Sequence, residues 1–317
     1  MNRFIKSWIA QGVLSISIVA AVVGTAYGQD RVVRIGFQKY GKFVLLKGRG
    51  TLEAKLKPLG YTVAWTEFPS GPPLLEALNV GAVDLGVAGE TPPIFAQAAG
   101  APLVYLAYDP PAPQGEAILV PKDSLLKSVA DLRGKKVALN KGSNVHYLLV
   151  RALEQAGLKY TDIQTVFLAP ADALAAFTRG AVDAWVIWDP YEAAAEASTG
   201  ARILTDGTGL VANYQFYFSS TKFLAENAKA VDNVLEALNE TDEWTKHNIQ
   251  AVADQLSPSI GLPPSVLAVS LRRESYGILP INSEVIASQQ RIADTFLTLG
   301  LIPKPVTVSD LQRKSGS

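Results

Sequence analysis

The chain has 317 residues, of which 48% are hydrophobic, and its 29 basic and 29 acidic side chains give a formal net charge of zero. This balance excludes the basic face of a nucleic-acid-binding protein and the polybasic segment of a lipid-binding protein. The absence of Cys excludes disulfides, and His146 and His247 lack the spacing of a zinc site.

The first 28 residues are predicted to be a cleaved signal peptide. Arg3 and Lys6 precede an apolar run over residues 13–23, and the short segment AYG follows at residues 26–28. The apolar run is too short to span a bilayer. Without this leader, 27 basic and 29 acidic side chains remain, a net charge of −2. We expect the mature chain to be free in a bacterial periplasm.

Strand-like and helix-like runs alternate through the first hundred residues of the mature chain. The predicted strands are RVVRIGF (31–37), YTVAWTEF (61–68), DLGVAG (84–89) and LVYLAY (103–108), and helical runs separate them. This is the βαβ rhythm of a parallel sheet. The segment YDPPAPQG (108–115) interrupts the rhythm with three prolines, which favours an extended crossover.

The same rhythm restarts beyond this crossover. Ser128 and Asp131 resemble a capping box before the strand at 136–140, and the run at 142–157 has apolar residues on one helical face. Another strand and another helix follow. The segment Thr208–Ser220 is predicted to contain a second crossover, and helices fill most of the remaining chain. Two crossovers between two lobes imply a hinge beside a cleft.

The motif GAVD occurs twice, at 81–84 and at 180–183. Each copy follows a helical run, leads into a strand, and is followed by an acidic residue, Glu90 or Asp189, and then by proline. Chance similarity between two α/β units is the alternative, but the shared surroundings favour two lobes of similar build. We expect residues 29–113 and 215–317, with the C-terminal helices, to form lobe 1, and residues 114–214 to form lobe 2.

Three helices are predicted to begin at the carboxyl ends of strands, where ligands collect in open α/β sheets. Thr91 and Asp189 each precede a proline, and Ser143 with Asn144 forms a third start that has His146 in its first turn. The unpaired N–H groups and the positive end of each helix dipole favour a bound anion. The alternative is that these residues only cap their helices.

Aromatic side chains are predicted at the strand ends or in the second crossover, where side chains can line a cleft. They are Tyr40, Phe43, Trp188, Tyr191, Tyr214 and Phe216. Packing in the core is the alternative for each of them. A cleft with both N–H donors and aromatic walls suits a small anion with an organic tail.

Catalytic interpretations of the same residues are less well supported. Ser143, His146 and Asp189 form a triad on paper, but there is no G-x-S-x-G elbow. Glu90 and Asp189 are a conceivable glycosidase pair, but capping, hydrogen bonding and hinge roles explain both acids more simply. The chain also lacks the glycine-rich motifs that bind nucleotides. We expect a protein that is not an enzyme and that has neither a metal nor another cofactor.

Long ungapped segments of the chain match one protein family. They include IGFQKYG, GAVDLGVAGETPPIFAQAAGAPLVYLAYDPPAP, SVADLRGKKVALNKGSNVHYLLVRALEQAG, GAVDAWVIWDPY and DGTGLVANYQFY. These segments resemble aliphatic sulfonate-binding proteins, the periplasmic receptors of an ATP-driven importer. The resemblance implies a two-lobed α/β fold of the type II periplasmic-binding class, with a hinge of two crossovers and a ligand cleft between the lobes.

The resemblance also implies a function and a set of site residues. The protein is expected to capture alkanesulfonates as a monomer and to deliver them to an ABC transporter permease in the inner membrane for sulfur acquisition. The residues implied at the cleft are Gln38, Tyr40, Glu90, Thr91, Ser143, Asn144, His146, Trp188, Asp189 and Tyr214. A sulfonate is an ionised tetrahedral group that offers only acceptors, so N–H and O–H donors suit it, and apolar walls suit its alkyl chain.

Other members of the same fold leave further ligands open. Taurine, nitrate and a pyrimidine precursor of thiamine are the alternatives among receptors. A desulfinase-like enzyme is the alternative outside the receptor class. Such an enzyme would need a nucleophilic cysteine, which the sequence does not contain.

Overall fold

The computed structural model describes residues 31–313, and the predicted signal peptide lies outside these described residues. The strands are β1 (Arg31–Phe37), β2 (Tyr61–Glu67), β3 (Leu85–Gly89), β4 (Leu103–Tyr108), β5 (Glu116–Val120), β6 (Lys136–Leu139), β7 (Gln164–Phe167), β8 (Ala184–Trp188), β9 (Arg202–Asp206), β10 (Gln215–Ser220) and β11 (Leu279–Pro280). The helices are α1 (Lys42–Arg49), α2 (Thr51–Leu56), α3 (Gly71–Asn79), α4 (Pro92–Ala98), α5 (Asn144–Gln155), α6 (Pro170–Thr178), α7 (Tyr191–Thr199), α8 (Thr221–His247), α9 (Ile249–Ile260), α10 (Pro264–Arg273) and α11 (Ser283–Thr298). Within residues 31–313, no helix has both the length and the apolar character needed to cross a bilayer.

The strands form two separate sheets. The first has the order β11-β4-β10-β3-β1-β2 and the second has the order β7-β6-β8-β5-β9. We call each sheet with its helices the first lobe and the second lobe. The pairs that β1 makes with β2 and β3, and β6 with β7 and β8, are parallel, as the βαβ rhythm predicts.

Both sheets are mixed, so the parallel pairing that the βαβ rhythm predicts describes only part of each sheet. Strand β10 runs antiparallel to β3 and β4, and β5 runs antiparallel to β8 and β9. Each of these two strands, β10 and β5, directly follows a crossover between the lobes. The chain therefore enters the sheet at that strand from the opposite direction. An antiparallel strand in an otherwise parallel sheet is common in large sheets.

The GAVD repeat has the same structural role in each lobe. In the first lobe Oδ2 of Asp84 accepts the N–H of Arg34 at 2.9 Å, and in the second lobe Oδ2 of Asp183 accepts the N–H of Lys136 at 2.8 Å. The first glycine of each copy has a left-handed φ, 73° and 68°, which glycine adopts without steric cost. Each copy leads into an interior strand, β3 or β8. The local similarity inferred from the repeat is therefore present in the structure.

The first sheet is packed by helices on both faces. Along β10, Phe216 and Phe218 face one side, where both rings meet Tyr105 edge-on at about 5 Å. Tyr217 faces the other side and meets the ring of Phe43 at 5.5 Å. This alternation follows the two-residue period of a strand. Phe43 and Phe216, for which the sequence left both cleft and core open, lie in the core.

Gly50 divides the first predicted helical run into α1 and α2. Its φ is 63°, and its N–H group contacts the carbonyl oxygens of Leu46 and Lys47, both at 3.2 Å. A left-handed glycine that closes the last helical turn is a common helix ending. Beyond the break, α2 packs against β2 and α8.

Candidate functional site

The two lobes face each other across the carboxyl ends of their strands. The first lobe contributes the segments after β1 and β3, and the second lobe contributes those after β6 and β8. The two crossovers, residues 109–115 and 207–214, lie beside these ends. The site residues inferred from the family resemblance lie in these segments, in the first turn of α5, in the second crossover (Tyr214) or at the last position of β8 (Trp188). The structure therefore brings them to one inter-lobe region.

The lobes touch each other directly where α5 begins. A Cβ atom placed on Gly89 would lie 2.8 Å from Cβ and 2.9 Å from Cγ of Asn144, closer than real side chains approach. On the same side, the ring of His146 lies 6.4 Å from that of Phe95 and 5.2 Å from that of Phe296, centroid to centroid. The close approach of the lobes at this point depends on the absence of a side chain at Gly89.

A buried hydrogen-bonded cluster joins both lobes to the second crossover. The amide of Asn144 donates to the carboxylate of Glu116, and also to Oδ1 of Asn213 at 3.0 Å. The N–H group of Tyr214 donates to Oε2 of Glu90 at 3.2 Å. Within residues 31–313, Oε1 of Glu90 and Oε1 of Glu116 are buried and have no hydrogen-bond partner.

Burial changes the acidity of both carboxyl groups in this cluster. Desolvation raises the pKa of Glu90 from 4.5 to about 7, and the N–H groups of Tyr214 and Asn213 oppose that rise. Desolvation and then the charge of Glu90 raise the pKa of Glu116 well above its ordinary value, and Asn144 opposes this. The centre of the site thus holds two carboxyl groups that favour the neutral form and repel each other when ionised.

The start of α4 offers fewer donors than its sequence suggests. Thr91 is the N-cap, as predicted, but its side chain makes no capping hydrogen bond, and the next two residues are Pro92 and Pro93. Proline has no backbone N–H, so two donors of the first turn are missing. The hydroxyl oxygen of Thr91 is buried and has no partner within residues 31–313. Thr91 therefore has a hydroxyl group available at the helix start.

The start of α5 retains its backbone donors. Ser143 is the N-cap, as predicted, but its hydroxyl donates to the carbonyl oxygen of Asn140 at 2.7 Å instead of capping the helix. The N–H groups of Asn144 and Val145 belong to the first turn, where a helix provides no internal acceptor. With 12 residues, α5 is also longer than α4, which has 7. Of the two starts, α5 offers more backbone donors to an anion.

His146 has both ring nitrogens engaged within the second lobe. Nδ1 accepts the N–H of Gly142 at 3.3 Å, and Nε2 lies 2.7 Å from the hydroxyl oxygen of Tyr160. Since Nδ1 accepts, the ring proton resides on Nε2. Desolvation, with the charge of Lys141, lowers the pKa of His146 to about 4, so the ring is neutral at pH 7. The hydroxyl of Ser143 donates to Asn140 and not to the ring of His146, so the triad considered from sequence is not formed.

Asp189 lies in an ion-pair cluster between the lobes. Nη1 of Arg273, from α10 of the first lobe, is 3.5 Å from both carboxylate oxygens of Asp189 and 3.0 Å from Oε1 of Glu192. Nη2 of Arg273 donates to Glu196 at 2.7 Å. Asp189 also accepts the N–H of Ala193 at 3.0 Å, although α7 begins one residue later than predicted. Burial raises the pKa of Asp189 to about 7, and Arg273 opposes that rise.

The first lobe contributes Gln38 and Tyr40 from the segment after β1. The amide of Gln38 donates to the carbonyl oxygen of Val87 at 3.0 Å, which holds this segment against β3. The ring of Tyr40 belongs to the hydrophobic core of the second lobe, and its hydroxyl lies against Gly115 of the first crossover. Tyr40 therefore bridges the two lobes at the hinge.

Tyr214 supplies aromatic surface from the crossover, whereas Trp188, at the end of β8, is buried in the hydrophobic core of the second lobe. Trp188 meets Tyr191 edge-on at 6.3 Å, and Tyr214 meets Tyr108 edge-on at 5.5 Å. Tyr214 also lines a cavity of about 630 Å³ between the lobes. The charged and aromatic residues of its lining are Glu90, Tyr147, Arg151, Tyr214, Glu284, Arg291 and Asp294.

Glu116 and Asn213 are central to the site, yet the sequence interpretation omitted both. Glu116 opens the apolar strand EAILV directly after the first crossover, and a buried acid in that position was the available signal. Asn213 has a φ of 51°, a left-handed conformation that Asn tolerates better than most residues. Its place within the crossover segment LVANYQ was the only sequence indication.

Replacing Asn213 with alanine is expected to lower the free energy of unfolding by about 3 kcal/mol. The variant loses hydrogen bonds to Asn144 and to the carbonyl oxygen of Ala112, and it forces alanine into a left-handed φ. Asn213→Gly relieves the backbone strain alone and should recover about 1 kcal/mol. Urea denaturation measures both variants. A glycine variant less stable than the alanine variant would contradict the strain argument.

The free energy of unfolding is expected to fall as the pH rises from about 5 to about 9. Burial raises the pKa of Glu90 to about 7, of Asp109 to about 8 and of Glu192 to about 9. An acid with a raised pKa in the folded state binds its proton more tightly in that state than in the unfolded state. Its protonated form therefore favours folding at low pH, and this contribution is lost as the pH rises from the unfolded-state pKa to the folded-state pKa. The full loss for Glu90 is on the order of 3 kcal/mol.

Thermal or urea unfolding across this pH range tests the expectation. Glu90→Gln is the matched control, because glutamine keeps an oxygen for the N–H of Tyr214 but does not titrate. Its unfolding free energy should fall less steeply between about pH 5 and 7 than that of the wild type. A wild-type stability that rises with pH would show that these acids ionise without cost.

Comparison with known proteins assigns the chain to a family. A family model described as NMT1/THI5 like matches residues 68–250. An aliphatic sulfonates-binding protein of Escherichia coli (strain K12) is 46% identical over 310 residues, which cover 97% of this chain and 95% of the relative. A protein of the same description from Bacillus subtilis (strain 168) is 32% identical, covering 89% and 86%.

A solved structure extends this similarity to the fold. The alkanesulfonate-binding protein of Xanthomonas axonopodis pv. citri, bound to MOPS, superposes with a TM-score of 0.86 at 42% identity, covering 90% of this chain and 98% of that one. This similarity confirms the periplasmic-binding-protein fold that the resemblance implied. With nearly its whole length matched, the chain belongs to the family of aliphatic sulfonate-binding proteins, which are binding proteins and not enzymes.

Proposed function

We propose that the protein captures aliphatic sulfonates in the cleft between its lobes and delivers them to the permease of an ABC transporter for sulfur acquisition. The observation that carries this proposal is the 46% identity over 97% of the chain to an aliphatic sulfonates-binding protein. In this proposal residues 29–113 and 215–317 form one lobe, residues 114–214 form the other, and the two crossovers form the hinge.

The chemistry of the inter-lobe region supports an anionic ligand. The first turn of α5 offers two N–H groups, and Thr91 offers a hydroxyl group. Arg151 and Arg291 line the adjacent cavity. Hydrogen bonds to a charged group contribute about 1.5 to 3 kcal/mol each, so a few of them approach the roughly −8 kcal/mol of micromolar binding.

The contact network supports a division of roles among the predicted site residues. We assign to the ligand the hydroxyl of Thr91, the backbone N–H of Asn144, whose side-chain amide is engaged with Glu116 and Asn213, and the ring of Tyr214. We assign Glu90 and Trp188 to the same group for their places at the ends of β3 and β8. The remaining residues have partners within the protein, and we assign them to shaping the site. They are Gln38, Tyr40, Ser143, His146 and Asp189.

The cellular setting is also part of the proposal. We infer that residues 1–28 are a signal peptide and that the mature chain works in the periplasm as a monomer. A related protein from Escherichia coli, 45% identical, is described as periplasmic.

Titration of the mature protein tests the proposal. Protein stripped of ligand by unfolding and refolding would be titrated with ethane-, butane- and octanesulfonate, taurine, nitrate and sulfate, with heat and tryptophan emission as readouts. We expect micromolar binding of at least one alkanesulfonate and weak binding of sulfate. Saturation by taurine or nitrate alone would assign the receptor another ligand, and no binding of any of the six would overturn the anion cleft.

A further inference from the structure

The salt bridges between the two lobes meet at one side chain. Within residues 31–313, each salt bridge that spans the lobes involves Arg273, the last residue of α10 in the first lobe. Its guanidinium lies 3.5 Å from Asp189, 3.0 Å from Glu192 and 2.7 Å from Glu196. These acids belong to the second lobe, and their spacing of three and four residues places them along one side of α7. An arginine of one lobe is therefore surrounded by carboxyl groups of the other.

The acids of α7 depend on the first lobe for a positive charge. Asp189 and Glu192 are fully buried. The charges of the second lobe that act on Glu192 come from Asp189, Glu196 and Glu116, all of them acidic. Burial and the charge of Asp189 raise the pKa of Glu192 to about 9, and Arg273 opposes that rise. Because a buried carboxylate without a cation is costly, these acids gain from the contact of α7 with α10.

Arg273 lies beside the crossover about which the lobes would turn. Two residues further on, the hydroxyl of Ser275 donates to the carbonyl oxygen of Pro110 in the first crossover. On the other side, the N–H group of Asp189 donates to the carbonyl oxygen of Gly115 in the same crossover, at 3.0 Å. The end of α10 and the segment before α7 are thus each attached to one part of the hinge.

Opening of the lobes would separate Arg273 from the far end of this row of acids. Glu196 lies seven residues beyond Asp189, which is about 10 Å along a helix. An opening of about 20° around an axis near Asp189 would move Glu196 by about 4 Å. That displacement takes its carboxylate out of hydrogen-bond range of the guanidinium, from which it now lies 2.7 Å. The complete set of salt bridges is therefore specific to the arrangement in which the lobes touch.

We propose that Arg273 is a latch, which binds the acids of α7 when the lobes close and thereby raises the affinity for the ligand without touching it. In this role Arg273 is a positioning residue, because it acts through α7, which follows the end of β8 at the cleft. Contacts that exist only in the closed form shift the equilibrium toward that form. This inference rests on the proposed function, because it assumes a ligand that binds between closing lobes.

Arg273→Met is expected to weaken the binding of butane-1-sulfonate by about ten-fold or more, through faster dissociation. The open protein captures the ligand as before, so the association rate should change little. A merely misfolded variant would instead bind less ligand per chain and keep the wild-type dissociation rate. Stopped-flow tryptophan emission gives the rates, and calorimetry gives the affinity and the stoichiometry. Arg273→Lys keeps the charge without the planar fork and should recover part of the loss.

Two further variants show whether the effect comes from the pairing between lobes. Arg133→Met is the matched control, because it removes an arginine salt bridge to Asp162 inside the second lobe and should leave the affinity unchanged. Glu196→Gln removes one partner of the latch and should weaken binding by about three-fold. Combined with Arg273→Met, the same substitution should weaken binding no further, because its partner is already absent.

The outcomes separate the latch from the proposed function. Wild-type affinity and dissociation rate in folded Arg273→Met would show that the latch is wrong and would leave the proposed function standing. If the wild type binds nitrate and no sulfonate, the proposed function is wrong, and the same comparison with nitrate decides the latch. A wild type that binds none of the anions overturns both. Should Arg273→Met fail to fold, Glu196→Gln decides alone.

Discussion

Gly89→Ala is expected to weaken ligand binding by about ten-fold or more while the protein stays folded. The added Cβ would lie 2.8 Å from Cβ of Asn144, and neither atom can move without moving backbone. The lobes must then separate at the point where they now touch. Gly89 does not have a left-handed φ, so alanine is compatible with the local conformation of β3. The substitution therefore acts on closure and not on the folding of either lobe.

The apparent affinity depends on closure because only the closed protein surrounds the ligand. If the closed fraction falls ten-fold, the dissociation constant rises by the same factor. Calorimetry with the sulfonate that binds the wild type, and the radius of gyration at saturating ligand, measure the two effects.

Asn144→Gly is the matched partner for this substitution, because it removes the Cβ that the new methyl group meets. Asn144→Gly alone loses the hydrogen bonds to Glu116 and Asn213. The double variant, which combines Gly89→Ala with Asn144→Gly, should bind ligand more tightly than the sum of the two single effects predicts. Wild-type affinity and an unchanged radius of gyration for Gly89→Ala would show that the lobes need not meet at this point.

Lys42→Met is expected to lower the free energy of unfolding by about 3 to 5 kcal/mol at pH 7. Lys42 is 1% exposed, and its Nζ lies 2.8 Å from Asp242, 2.9 Å from Glu274 and 2.6 Å from the carbonyl oxygen of Ser275. Methionine fills a similar volume but leaves two buried carboxylates side by side without a cation. The loss therefore comes mainly from uncompensated negative charge.

The pH dependence and a surface control identify that cause. Burial raises the pKa of Glu274, so its carboxyl group takes up a proton more readily than an exposed one, and the loss should be smaller at about pH 5 than at about pH 8. Lys55→Met removes the exposed pairs with Glu236 and Glu240 and should cost about 1 kcal/mol or less. Equal losses for the two variants in urea denaturation would contradict the role of burial.

Local sequence patterns were sufficient for most of the elements and for their order. The alternation of apolar runs predicted β1 to β4, and the GAVD copies predicted two similar units with Asp84 and Asp183 in equivalent places. The antiparallel placement of β10 was not predictable in this way. Its neighbours β3 and β4 lie more than a hundred residues earlier, and the pattern of one strand carries no information about its partners.

The location of the candidate site was predictable for a geometric reason, but its contacts were not. The carboxyl ends of parallel strands share one edge of a sheet, so Glu90, Asn144 and Trp188 had to approach one cleft. Which atoms meet depends on contacts between distant segments, such as that of Asn144 with Asn213. Pro92 and Pro93 indicated where α4 begins, but they also deprive its first turn of two backbone N–H donors. The sequence pattern of a helix shows the start and not the missing donors.

Strand β10 gives the molecule a definite order of assembly. It lies between β3 and β4, so the first sheet is split until residues 215–220 are available to fill it. The second sheet is formed by one continuous stretch, from β5 to β9, and needs nothing that comes later in the chain. During synthesis the chain emerges N-terminus first. The sheet of the second lobe can therefore be completed before the sheet of the first lobe, although β1 to β4 precede it in the chain. Until β10 is synthesised, Tyr105 of β4 lacks the rings of Phe216 and Phe218 that pack against it.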